Sequence, residues 1–126
     1  MQVTLTQHFS FEAAHYLPYI PKTEGLGRVH GHSFAVEMHF VGAPDPATGV
    51  IVNLETGIGA FRALVQTLDH SLLNEVEGLG VPTLENLGAW LLRRGRVIDD
   101  RLHAVTVARP SVGQRCTVTM GETPRI

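Results

Sequence analysis

"HGHSFAVEMHFV", residues 30–41, decides how the chain is read. The stretch reads as a β-strand, and on a strand side chains two apart point to the same face. His30 and His32 therefore stand side by side, with Gly31 leaving room between them. Upstream, residues 16–29 carry Pro18, Pro21, Gly25 and Gly27 and read as a loop. Beyond that loop, residues 2–15, "QVTLTQHFSFEAAH", alternate roughly and read as another strand. Downstream, "GAPDPATG" is turn material, so the two long strands are expected to form an antiparallel hairpin. "VIVN", residues 50–53, reads as a short extended piece.

The remaining elements follow the same rules. Residues 55–68 place Ile58, Phe61, Leu64, Val65 and Leu68 at helical spacing, weakened by Gly57 and Gly59. A second helix starts near "PTLEN". Thr83 can cap it, Glu85 favours its first turn, and Leu84, Leu87, Gly88 and Leu91 form its inner face. "LHAVTVA" and "RCTVTM" read as a closing hairpin. The order is β-β-α-α-β-β without an internal linker or repeat. This predicts a single α+β domain over 1–126, an antiparallel sheet with two helices on one face.

Composition narrows the function classes. The chain has 126 residues, 44% apolar and 17% charged, with net charge −2. That is enough for one domain with a modest core. No basic run suggests nucleic acid. No apolar stretch approaches about 18 residues, and no charged-then-apolar leader is present, so neither a membrane span nor a signal peptide is expected. A single cysteine, Cys116, excludes an internal disulfide and fits a cytoplasmic protein. The seven histidines are the composition's one hint of chemistry.

His15 ends the strand that neighbours His30 and His32 and can reach the same point. Three neutral imidazoles with one open position form a catalytic zinc arrangement, whereas a closed structural site needs a fourth protein ligand. The alternative is a chance histidine pair in a strand. "TLDHSLLN" holds a second candidate, in which Asp69 orients His70 for acid–base work. Its alternative is an ordinary helix end. His8, His39 and His103 lie within strands and receive no role. Cys116 reads as a small packed residue.

"FSFEAAHYLP", "GRVHGHSF", "LDHSLLN", "PTLENLGAWL" and the final "GE" resemble, in order and spacing, the 6-pyruvoyltetrahydropterin and 6-carboxytetrahydropterin synthase family. The resemblance runs nearly end to end. It implies the tunnelling fold, with β-β-α-α-β-β subunits in a hexamer-like homo-oligomeric ring and active sites at the interfaces. It implies Zn2+ on His15, His30 and His32, and Asp69 with His70 as the catalytic pair. It also implies a small-molecule substrate, 7,8-dihydroneopterin triphosphate in family members.

Three departures qualify that picture. Family members carry a proton-transferring cysteine in the loop before His-Gly-His, and Leu26 stands there. Glu24, two residues away, is the nominated substitute. Family members anchor the pterin with a glutamate after the third long strand, and ungapped alignment puts Arg109 there. A guanidinium donates only, so it suits a carboxylate, phosphate or carbonyl oxygen. Asn53 replaces a usual aspartate. Three readings follow: a zinc lyase or isomerase diverged toward a small oxygen-rich substrate, an ordinary pterin synthase with compensating residues, or a non-catalytic zinc-binding remnant.

Overall fold

The computed structural model describes residues 1–121, apart from the side chains of residues 54–56. Glu122 of the final "GE" lies outside the described residues. In chain order the elements are β1 (Val3–His15), β2 (His30–Gly42), α1 (Leu54–Gln66), β3 (Ser71–Leu72), α2 (Leu84–Ile98), β4 (Leu102–Arg109) and β5 (Gln114–Thr119). The sheet order is β3-β1-β2-β4-β5. β1, β2, β4 and β5 pair with one another antiparallel, as the sequence predicts. The sequence reading contains no counterpart of β3. This two-residue strand runs parallel to β1 at Ala13 and Ala14 and makes the sheet mixed. "VIVN" forms no strand. Ile51 and Val52 are buried, and the Arg101 guanidinium donates to the Ile51 carbonyl instead of a strand partner doing so.

β1 and β2 pair from Val3 opposite Gly42 to His15 opposite His30. Alternation turns Phe9, Phe11, Phe34, Val36, Met38 and Phe40 to one face. Phe61 and Val65 of α1 and Leu87 and Leu91 of α2 pack against that face. The Thr83 hydroxyl accepts from Asn86 N at 3.2 Å and caps α2. Gly88 lets α2 settle on the sheet, since a Cβ there would stand 2.7 Å from Val118 Cγ2.

The opposite face of the sheet is polar. A hydrogen-bonded chain crosses all four long strands, from Thr6 through His39 and Thr106 to Thr117, with spacings of 3.0, 2.8 and 2.7 Å. His39 is thus half-buried and bonded at both ring nitrogens, while His8 and His103 are exposed.

Candidate metal and proton-transfer site

The hairpin register places His15 directly across from His30, and the strand period places His32 on the same face. The three rings meet edge to face, with centroids 4.6, 4.7 and 5.0 Å apart. Phe34 closes the base of the cluster, 5.9 Å from His15 and 5.7 Å from His32. One ligand atom from each imidazole lies within 4.8 Å of the others.

Hydrogen bonding decides which nitrogen each ring offers. His15 Nδ1 lies 2.9 Å from the Pro82 carbonyl, and His30 Nδ1 lies 2.7 Å from the Arg28 carbonyl. A carbonyl only accepts, so both Nδ1 atoms carry the proton and both Nε2 lone pairs are bare. The Nε2 atoms of His15, His30 and His32 are all buried with no hydrogen-bond partner. Burial holds the His15 pKa down to about 4, opposed by the Pro82 bond and aided by the charges of His30, His32 and Arg109. Desolvation also lowers that of His32, with His30 and Arg109 adding to it. Burial thus favours the neutral form of His15 and His32, as a metal ligand requires. Three converging buried Nε2 atoms, those of His15 and His30 oriented by carbonyls behind their rings, fit a zinc-type cation.

The second motif docks on the end of β1. The backbone N–H of Glu12 donates to Asp69 Oδ1 at 2.9 Å, and Glu12 O accepts from His70 N at 2.6 Å. Asp69 Oδ2 lies 2.9 Å from His70 Nδ1, leaving Nε2 to face outward on an imidazole that is 81% exposed. The Glu12 amide, then the His70 ring, holds the Asp69 carboxyl below its usual range. His70 has φ 58, the only positive value among the described non-glycine residues. That strain at a bulky residue points to a constrained role. His70 and His32 both line a cavity of about 580 Å3, together with Glu12, Ser33, Ser71 and Ser111.

Some positioning groups escape a reading of the sequence. Asn74, inside "LDHSLLN", accepts from Tyr16 N at 3.0 Å and donates to Tyr16 O at 2.8 Å, fastening the residue after His15. The motif contained the asparagine but not its partner, and the orienting carbonyls of Pro82 and Arg28 have no side-chain signature at all. Leu26 sits in a one-turn 3-10 helix, Gly25–Gly27, and is 47% exposed. Glu24 precedes that turn, is exposed, and does not line the cavity of His32 and His70. Arg109 ends β4 on the same face as Val107, the face of the histidines. Its Nη2 donates to Gln114 Oε1 at 2.5 Å.

Comparison with known proteins agrees with this fold. Residues 4–123 match the family described as 6-pyruvoyl tetrahydropterin synthase. A 6-carboxy-5,6,7,8-tetrahydropterin synthase of Synechocystis is 36% identical over 94 residues, 70% of each chain. The solved 6-pyruvoyl tetrahydropterin synthase of Caenorhabditis elegans superposes with a TM-score of 0.84 at 23% identity, covering 96% of this chain and 97% of that one. The Plasmodium vivax enzyme of the same name gives 0.70 at 18% identity, over 97% and 99%.

Proposed function

The chain belongs to the 6-pyruvoyl tetrahydropterin synthase family, and on that premise we propose that it is a cytoplasmic, zinc-dependent lyase acting on a small oxygen-rich substrate other than, or beside, 7,8-dihydroneopterin triphosphate. The observation that carries this reading is the convergence of three buried, unpartnered Nε2 atoms. His15, His30 and His32 would hold one Zn2+ per subunit. When bound, the ion supplies Lewis-acid polarisation of a substrate oxygen. His70 moves the proton at Nε2, and Asp69 fixes its tautomer and stabilises the imidazolium that forms. Leu26 moves no proton, so the transfer that the family's cysteine performs must fall to another group. Glu24 is the nominated acceptor and Arg109 the nominated substrate contact.

The reading includes an assembly. Alternation along β1 sends Glu12 to the face opposite His15, and Asp69 and His70 dock on Glu12 at the β3 edge. A dyad held at an edge is suited to complete a site shared with a second copy, in a ring of the hexameric kind. Untagged protein is expected to contain one zinc per chain by elemental analysis. His30→Ala is expected to lose the metal and the activity, and full activity without metal would sink the proposal.

The Synechocystis relative favours a second reading, an ordinary 6-carboxytetrahydropterin synthase with compensating residues. Assay of 7,8-dihydroneopterin triphosphate separates the two. Loss of one acid–base group predicts a rate about 10²–10⁴-fold below a family enzyme's. Turnover at an ordinary family rate would establish the second reading. A non-catalytic remnant would have no use for an aligned Asp69–His70 pair.

A further inference from the structure

Arg109 stands beside the histidine cluster without a counter-ion. Its Nε is buried and has no hydrogen-bond partner, and among the described residues no carboxylate lies within ion-pair distance of its guanidinium. Its charge is felt at both His15 and His32. Gln114 fixes the guanidinium through Nη2. A cationic group pinned against a partly apolar wall, with one N–H shut in and no anion beside it, is costly to desolvate. A ligand that brings the anion offsets that cost.

The guanidinium lines a second cavity of about 460 Å3, separate from the one that His32 and His70 share. Leu17 and Leu84 form apolar wall, and Tyr19, Thr83, Glu85 and Gln114 supply polar groups. Leu17 follows His15 by two residues, and Thr83 follows the proline whose carbonyl orients His15, so this cavity adjoins the segments that hold the cluster. Arg115 also lines the second cavity, but its guanidinium is already held by Glu37 at 2.8 Å. The lining therefore keeps an unpaired positive charge on Arg109 and a negative one on Glu85. That pair matches a molecule with a carboxylate for Arg109 and a hydrogen-bond donor for Glu85. A phosphate dianion would bring two negative charges into a lining that already holds Glu85.

We propose that Arg109, braced by Gln114, receives the carboxylate of a small hydroxy- or amino-carboxylate substrate, and that Glu85 accepts from the donor on the same molecule. This deepens the lyase reading above and rests on it for the reaction. The recognition itself depends on the two side chains alone. A planar carboxylate suits a guanidinium because two parallel N–H bonds can form.

The test uses the full chain, metal-free and zinc-loaded, with glycolate, acetate, glycolamide and inorganic phosphate as probes. Binding is followed by calorimetry and by the Nε–H resonances of arginine, with that of Arg109 assigned by its loss in Arg109→Lys. Glycolate is expected to bind metal-free protein saturably and to shift the Arg109 resonance, and glycolamide to leave it in place. Arg109→Gln should weaken glycolate at least tenfold. Arg109→Lys, which keeps the charge without the planar fork, should weaken it by a smaller factor and serves as the test if the glutamine variant does not fold. Glu85→Gln should weaken glycolate more than acetate. Equal binding of glycolamide, tighter binding of phosphate, or unchanged affinity in both Arg109 variants would overturn the proposal. Untagged protein that binds glycolate but is purified with no zinc, and takes none up, would instead count against the lyase reading and leave this one standing.

Discussion

At the residue scale, His15 joins stability to metal chemistry. It is 1% exposed, and burial holds its pKa down to about 4 against an ordinary 6.5. The unfolded chain binds a proton below about pH 6.5 that the metal-free fold refuses until about pH 4, so stability is present above that window and lost as pH falls through it. The change from this residue is on the order of 3 kcal/mol, and His32 acts in the same direction. Urea unfolding of metal-free protein between pH 7 and 4.5 is expected to show it, with a shallower pH slope in His15→Gln. A second prediction concerns His70, whose left-handed backbone asparagine also tolerates. His70→Asn is expected to keep the midpoint of thermal unfolding within a few degrees while removing turnover. Equal activity in that variant would remove His70 from the mechanism.

At the scale of elements, two short segments hold the cluster in register. The loop from Tyr16 to Val29 closes on itself through Leu17 N donating to Leu26 O at 2.9 Å. Gly27 is buried there, and a Cβ would collide with the backbone carbonyls of Ile20 and Pro21. Backbone cannot give way as a side chain does, so Gly27→Ala is expected to cost at least ~2 kcal/mol. It should also weaken zinc binding, because Arg28 O orients His30. Unfolding curves combined with a zinc titration check both parts. Asn74→Ala removes both bonds to Tyr16 and is expected to cost about 1–3 kcal/mol. Both glycine and asparagine were visible in the sequence, but their partners lie across loops. Local pattern carries no record of such pairings.

At the scale of the whole molecule, two sheet edges remain open among the described residues. There β5 has no neighbour beyond β4, and β1 is covered by β3 only at Ala13 and Ala14. Unpaired edges of this length invite pairing with another copy. Light scattering is expected to give an oligomer, and a stable monomer at working concentration would count against the shared site. The polar face bearing the Thr6–His39–Thr106–Thr117 chain suits contact with water rather than a second packed layer. Among the described residues no helix is long and apolar enough to cross a membrane.

The strands, both helices, the cap at Thr83 and the pairing of His30 with His32 were legible in the sequence, because each depends on a local period or a near neighbour. The identity of the third imidazole was legible too, since a hairpin of two long strands brings its ends together. Tertiary structure alone decided three things. It set the tautomers of His15 and His30, because carbonyls distant in sequence or hidden in the backbone orient them. It added β3, because two residues carry no periodicity and pair only when Asp69 and His70 have docked on Glu12. It left Arg109 without an ion-pair partner among the described residues, because the strand face and the grip of Gln114 hold the guanidinium where no described carboxylate reaches it.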